Sequence, residues 1–230
     1  MVVISRSGGV DLTTGVGLDP ALDGVESVVD TTNTPMTSAE HTRAFFTAAT
    51  TNLLAAGLRA GVSHHVVLSV VGIDRVVGNA HYAGKGRQEA IALNGPIPAS
   101  VLRATQFHEF AELVAGLSLK GREAVVPPLL VQPVAVADVA DALVRLVEGE
   151  ATDGVAELAG PRTEDLVDMA RRTLAARGED DIRLVPSWRG TFGLEMSGEV
   201  LLPGPAAELA ETTFDAWLAG LRAGLPRQPA

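Results

Sequence analysis

The chain has 230 residues, of which 47% are apolar and 20% are charged, and it contains no cysteine. This length is sufficient to bury one full hydrophobic core, and the composition is typical of a globular protein. The formal net charge of −10 argues against a nucleic-acid surface. The lack of cysteine excludes disulfides and zinc–thiolate sites and fits a reducing cytoplasm, and the many alanines suggest a bacterial source. No apolar stretch reaches the roughly 18 residues that a membrane span needs, and no signal peptide is recognisable.

Apolar runs that suit buried strands alternate with helical patterns along the first hundred residues. In chain order they predict a strand at 2–5, a short helix from Asp19 to Gly24, a strand at 25–30, a helix at 38–60, a strand at 65–71, a helix that contains Lys85 and ends near Asn94, and a strand at 100–103. Glycine, proline or small polar residues follow most of these strands and end them.

The second half has shorter strands, some of them interrupted by prolines. The patterns predict that residues 105–107 lead into a helix that runs through Val114. They then predict strands at 124–128 and 130–134, a helix at 136–148, a strand at 155–158, a helix at 163–176, a strand at 182–185 and a helix at 212–223. Alternating strands and helices predict an α/β fold with a mainly parallel sheet flanked by helices. We expect one domain, 1–230, in which 124–230 forms a smaller C-terminal region.

A hydroxyl, a tyrosine and a lysine follow one another around the end of the strand at 65–71. Ligands of parallel sheets gather at the carboxyl ends of strands, which is where Ser69 falls. A serine that holds a carbonyl, a tyrosine that passes a proton and a lysine that lowers the pKa of that tyrosine form a carbonyl reductase site. In the usual spacing the tyrosine lies four residues before the lysine; here that residue is His81, and Tyr82 lies three before Lys85.

The order of four segments resembles the NmrA-like branch of the atypical short-chain dehydrogenase/reductases. These segments are 28–33, 68–72, Tyr82 with Lys85, and 102–107. The resemblance implies a Rossmann fold that holds NADP or NAD, with a smaller C-terminal region on the substrate side. It also implies hydride transfer to a carbonyl or quinone-like small molecule.

The resemblance assigns roles to individual residues of this chain. Arg6 and Ser7 would hold the 2′-phosphate of NADP. Thr31, Thr32 and Asn33 would lie along the dinucleotide. Ser69 would serve catalysis, Lys85 would hold the nicotinamide ribose, and residues Thr105, Gln106 and Phe107 would lie beside the nicotinamide.

Two departures from the family keep alternatives open. The family begins with a strand, a glycine-rich turn and a helix that receives the pyrophosphate. The strand at 2–5 corresponds to the family's second strand, so we expect this first unit to be missing. The second departure is His81 in the place of the tyrosine. The alternatives are a non-catalytic NAD(P)-sensing or protein-binding regulator, and a truncated form with impaired cofactor binding that associates with other copies through an open sheet edge.

Simpler interpretations stand beside these roles. Ser69 can also be explained as a strand-end hydroxyl and Lys85 as a solvated helix residue, although the ligand roles are favoured for both. For Tyr82, an amphipathic side chain at the edge of the core is the favoured interpretation. His64 and His65 are adjacent in a strand and point to opposite faces, so they cannot chelate a metal together. We therefore expect no metal site.

Overall fold

A computed structural model gives the fold and describes residues 1–35, 37–152, 154–190 and 192–224. The chain divides into two compact units. Unit 1 comprises Met1–Arg103 and Ala140–Ala156, and unit 2 comprises Ala104–Val139 and the described residues from Glu157 onward. Ser69 and Lys85 therefore belong to unit 1.

Unit 1 is built from three strands that lie side by side and the helices that connect them. Its elements are α1 (Leu18–Ala21), β1 (Ser27–Asp30), α2 (Ala39–Ala60), β2 (His64–Val70), α3 (Ala80–Leu93) and β3 (Ala99–Ala104), which ends at the boundary of the unit. The strand order is β1-β2-β3. β1 and β2 are parallel, with Asp30 opposite Val67, so their carboxyl ends meet at one edge of the sheet.

Local signals fix the helices that lead to and from β2. The Ser38 hydroxyl accepts a hydrogen bond from the His41 amide at the start of α2, and Gly61 ends the helix in the left-handed conformation that glycine tolerates. The Asn79 side chain accepts from the first amides of α3, at 3.0 Å from His81 N. These caps confirm the predicted helices to within a few residues.

The apolar core of unit 1 includes two clusters of buried residues. One cluster joins the N-terminal segment to α2, and a smaller one joins β2 to β3 and α3. The buried residues of the two clusters are Val10, Leu18, Leu22, Val28, Leu53, Leu54, Ala56, Val62 and Ile97, and Val67, Ala92, Ala99 and Val101.

The strand predicted at 2–5 is wrong. Residues 2–5 form no strand, Val2 and Val3 are exposed, and a 3₁₀ helix follows at Arg6–Gly8. The Ser5 hydroxyl accepts from the Gly8 amide at 3.2 Å and turns the chain there. An apolar run forms a stable strand only beside a pairing partner, and residues 2–5 have none among the described residues.

Unit 2 contains most of the second half of the chain. Its elements are α4 (Phe110–Ser118), β4 (Glu123–Val126), β5 (Leu130–Val131), α5 (Val136–Glu148), which continues into unit 1, β6 (Val155–Ala159), which enters from unit 1, β7 (Glu164–Asp165), α6 (Leu166–Arg177), β8 (Arg183–Pro186), β9 (Glu208–Leu209) and α7 (Phe214–Gly224). Its buried residues include Leu129, Val134, Leu158, Leu166 and Met169. The predicted end of the last helix at 223 agrees to one residue.

Helix α6 begins later than predicted. The side chain of Asp165, not Thr163, caps it by accepting from the Asp168 amide at 2.9 Å. Glu164 and Asp165 instead pair antiparallel with β5. This pairing comes from residues more than thirty positions away, so the local pattern does not contain it.

Parallel pairing dominates the sheets of both units. β4 pairs with β8 and β6 with β9 in parallel, as β1 does with β2, whereas the pairing of β5 with β7 is antiparallel. This confirms the α/β class with a mainly parallel sheet flanked by helices. No helix in the described ranges is long and apolar enough to cross a membrane.

Candidate functional site

Lys85 lies in the second turn of α3 and is only 5% exposed. Its ammonium donates to the Leu68 carbonyl and to Gln88 Oε1, both at 2.6 Å. A third contact, to the Thr32 carbonyl, is longer at 3.4 Å. Two of its three N–H groups are therefore firmly held, and the third has only a weak partner.

Gln88 connects Lys85 to a buried carboxylate. Its side chain is fully buried, and Nε2 donates to Asp30 Oδ2 at 2.8 Å and to Thr32 Oγ1 at 3.1 Å. Asp30 Oδ1 accepts from the Thr32 amide at 2.9 Å. His65 Nε2 lies 3.8 Å from Asp30 Oδ2, which is too long for a hydrogen bond.

Burial changes the acid–base properties of this group of residues. It lowers the pKa of Lys85 to about 8, although the carboxylates of Asp30 and Glu89 act in the opposite direction. Burial also disfavours the charged form of Asp30, but the imidazole of His65 and the groups of Thr32 outweigh it and hold the pKa of Asp30 below its usual range. The interior therefore holds a carboxylate beside a lysine that titrates slightly above neutral pH.

Ser69 follows the carbonyl that anchors Lys85, near the carboxyl end of β2. Its side chain is 5% exposed, and its Oγ has no hydrogen-bond partner in the part of the chain that the structure describes. A buried hydroxyl without a partner carries a desolvation cost of about 1–3 kcal/mol. Such an atom is suited to meet a ligand that completes its hydrogen bonds.

Close helix packing brings Lys85 to this position. A Cβ on Gly84 would lie 2.7 Å from the Phe46 ring, so only glycine lets α3 approach α2 this closely. Thr42 Oγ1 donates to the Ala80 carbonyl at 2.7 Å and joins the same helices. The Lys85 ammonium lies 5.1 Å from the centre of the Phe46 ring, within the range of a cation–π contact.

His81 and Tyr82 occupy the first turn of α3. Burial, with the positive charge of Lys85, lowers the pKa of His81 to about 4, so its imidazole is neutral near pH 7. Tyr82 is buried, and its ring meets the ring of His81 edge to face at 6.1 Å. At neutral pH, His81 therefore lacks the second ring proton that an imidazolium would donate.

The other predicted cofactor residues of unit 1 differ in exposure. Thr32 takes part in the Lys85 network, whereas Thr31 and Asn33 on either side of it are exposed. Arg6 and Ser7 are exposed in the 3₁₀ helix rather than at the end of a strand. The structure thus brings Thr32 and Lys85 together, beside the residue that precedes Ser69.

The predicted nicotinamide segment lies in unit 2. Thr105 is buried, and its Oγ1 donates to the Gln132 carbonyl at 2.6 Å. Gln106 is buried, and its carbonyl accepts from the Val134 amide at 2.9 Å. Phe107 is half-buried and forms a β-bridge with Val134. The helix predicted after this segment begins at Phe110 and runs to Ser118.

Sequence reasoning missed three members of the site: Asp30, His65 and Gln88. Gln88 lies three residues after Lys85, on the same helix face, and that spacing is a usable signal. Asp30 ends a buried strand, which also marks it. The two adjacent histidines have different partners: His64 Nε2 is 2.9 Å from Ser100 Oγ, and His65 contacts Asp30.

No group of three or more residues suited to a metal ion occurs in the described ranges.

Comparisons with known proteins give a fold but no family. No protein-family model and no curated protein matches the sequence. The fold is similar to that of RMD from Pseudomonas aeruginosa complexed with NADPH, with a TM-score of 0.64 and 14% identity over 97% of this chain and 88% of that one. It is also similar to a nucleoside-diphosphate-sugar epimerase from Staphylococcus aureus, with a TM-score of 0.65 and 13% identity over 94% and 86% of the two chains.

A third similar structure is an NADPH-dependent quinone oxidoreductase (QOR2) from Escherichia coli. Its TM-score is 0.64, with 18% identity over 92% of this chain and 81% of that one. At such identities the similarity establishes the Rossmann-like α/β fold and no activity. The NmrA-like resemblance and the missing first unit stay predictions.

Proposed function

We propose that the chain is an NAD(P)-dependent oxidoreductase that reduces a carbonyl or quinone-like small molecule. The observation that supports it best is the pair formed by Ser69 and Lys85. A buried hydroxyl without a partner follows directly after the carbonyl that anchors a buried lysine, at the joined carboxyl ends of two parallel strands. Ligands of open α/β sheets bind at such edges.

Lys85 and Ser69 are suited to bind the nicotinamide ribose of a dinucleotide and the acceptor beside it. The third N–H of Lys85, weakly bonded to the Thr32 carbonyl at 3.4 Å, is available for a ribose hydroxyl. The Ser69 hydroxyl is available to donate to the oxygen of the acceptor. When bound, the cofactor would supply the hydride. Tyr82 or His81 would relay the proton, and the neutral imidazole of His81 would have to take that proton up before passing it on.

Titration of the purified chain with NADPH tests the cofactor assignment. Lys85→Met should weaken binding roughly tenfold, because a hydrogen bond from a charged group is worth about 1.5–3 kcal/mol. The matched control is Lys120→Met, which removes the other lysine of the chain, an exposed one. Equal binding by both variants would contradict the role of Lys85, and no NADPH or NADH binding by the parent would contradict the proposal itself.

Turnover with quinones and aldehydes separates catalysis from sensing. Ser69→Ala should lower turnover by about 10²-fold, the effect of one lost donor at a developing oxyanion, with cofactor binding retained. Ser63→Ala is the control, since Ser63 is exposed just before β2. Cofactor binding by a parent without turnover would favour the sensing regulator, for which the position of His81 is the supporting observation. Binding only after addition of a strand, glycine-rich turn and helix at the N-terminus would favour the truncated form.

A further inference from the structure

Gln88 bonds the Lys85 amine directly but has no part in the proposed reaction. It lies three residues after Lys85 on α3, has no exposed surface, and accepts from the Lys85 ammonium at 2.6 Å. The Leu68 carbonyl is the other short acceptor, also at 2.6 Å. One backbone group and one side chain therefore define where the amine lies.

The orientation of the Gln88 amide is dictated by charge. Its oxygen faces the Lys85 ammonium, and its NH₂ group faces Asp30 Oδ2 at 2.8 Å. The flipped amide would place NH₂ against the ammonium and oxygen against the carboxylate, and both contacts would be repulsive. No ion pair within 4 Å joins Lys85 directly to Asp30 in the described residues, so the amide bridges the cation and the anion.

Several charged or titratable groups face Lys85 from the elements around it. They are Asp30 from β1, His65 beside Asp30 from β2, and His81 and Glu89 from α3, while the uncharged ring of Phe46 contacts the amine from α2. Glu89 is engaged by Arg103 at 2.9 and 2.7 Å. Among these groups, none is a direct hydrogen-bond acceptor for the ammonium, so Gln88 is the side chain that transmits the charge of Asp30 to it.

We propose that Gln88 is a positioning residue for Lys85, and that with Asp30 behind it this amide fixes both the location and the charge state of the amine. In the holoprotein the third N–H of Lys85, which has only the long contact to the Thr32 carbonyl, would bond a ligand hydroxyl. This use of the third N–H rests on the proposed function. The positioning of the amine does not, because it depends only on contacts within unit 1.

The chain is well suited to a direct measurement because it has only two lysines, Lys85 and Lys120. Protein labelled with ¹³C,¹⁵N-lysine gives one side-chain Cε and Nζ signal for each, and the Lys120→Arg variant assigns them. Their chemical shifts followed against pH report the titration of the Lys85 amine in the full chain without any ligand. Lys120 is exposed and serves as the internal reference.

Gln88→Met should move the Lys85 midpoint downward from about 8 by about one pH unit, because a hydrogen bond to a charged group is lost. Gln88→Glu should move it upward, because the added carboxylate faces the ammonium, and its repulsion with Asp30, which accepts from the Gln88 amide in the parent, also favours a charged amine between them. Gln132→Met is the matched control: it removes another partly buried glutamine, which donates to the Gly160 carbonyl at 2.7 Å in unit 2. It should leave the Lys85 curve unchanged.

Opposite shifts in the two Gln88 variants, with no shift in the Gln132 variant, would support the positioning role. Coincident curves for the parent and both variants would overturn it. If one variant fails to fold, the direction of the other still decides. NADPH titration of Gln88→Met forms a separate arm, in which we expect roughly tenfold weaker binding at pH 7. Shifted titration curves in a chain that binds no NADPH would sustain the positioning and reject the proposed function.

Discussion

Lys85 in unit 1 and Arg172 in unit 2 are both cations with several partners, but their surroundings are opposite in kind. The partners of Lys85 are neutral: two carbonyls and the amide of Gln88. The carboxylate of Asp30 bonds that amide and not the lysine. Arg172 forms ion pairs with the carboxylates of Glu164, Asp168 and Asp215, and its guanidinium lies 4.7 Å from the centre of the Phe214 ring.

The comparison separates a cation used for structure from one suited to chemistry. Arg172 is 26% exposed, and a guanidinium keeps its charge at every accessible pH. The Lys85 amine is buried among neutral acceptors, so its charge depends on pH near neutrality. Functional sites are where such shifted groups concentrate, and this difference favours unit 1 as the unit that would carry the proposed reaction.

Removal of the Asp30 carboxylate should cause the largest loss of stability among the changes around Lys85. Asp30→Ala leaves the Lys85 ammonium and the Gln88 amide buried without their counter-charge, and such a change costs about 3–5 kcal/mol. Urea unfolding measures the loss. Asp23→Ala, at an exposed aspartate of the same unit, should stay within about 0.5 kcal/mol of the parent. A similar cost for both variants would show that Asp30 is not the counter-charge.

The pH dependence of stability is the second test, and its sign follows from the lowered pKa of Lys85. Between pH 8 and 10.5 the unfolded chain binds a proton that the folded chain has released, so the free energy of unfolding should rise with pH. The full rise is at most about 3 kcal/mol, at 1.36 kcal/mol for each pH unit. Denaturant unfolding at several pH values should show it in the parent.

Variants of the two cations sharpen this test. Lys85→Met should abolish the rise between pH 8 and 10.5. Arg172→Met should lower stability at every pH and leave the rise unchanged, because the guanidinium does not titrate in this window. A rise that persists in Lys85→Met would assign it to another group.

The elements that depend on local pattern were predicted well, and the long-range contacts were not. The amphipathic repeat at 136–148 gives the bounds of α5 correctly. The apolar run at 2–5 misled because strand formation needs a neighbour that the run itself does not specify. In the candidate site, Ser69 and Lys85 were singled out from their place near strand and helix ends, and their functional roles stay predictions. The bond from Gln88 to Asp30 spans 58 positions, and only the assembled sheet and helix reveal it.

The smallest expected change in the free energy of unfolding comes from removing a buried hydroxyl that has no hydrogen-bond partner, compared with removing one that has a partner. Ser69→Ala removes a buried Oγ that makes no hydrogen bond in the described residues, so it should cost no stability and gain up to about 1 kcal/mol. Thr105→Val, in unit 2, removes a buried hydroxyl bonded to the Gln132 carbonyl at 2.6 Å and should cost about 1–2 kcal/mol. Denaturant unfolding of both variants measures the difference. A clear loss of stability in Ser69→Ala would mean that this hydroxyl already has a structural role, and the case for a ligand that completes it would lose its main support.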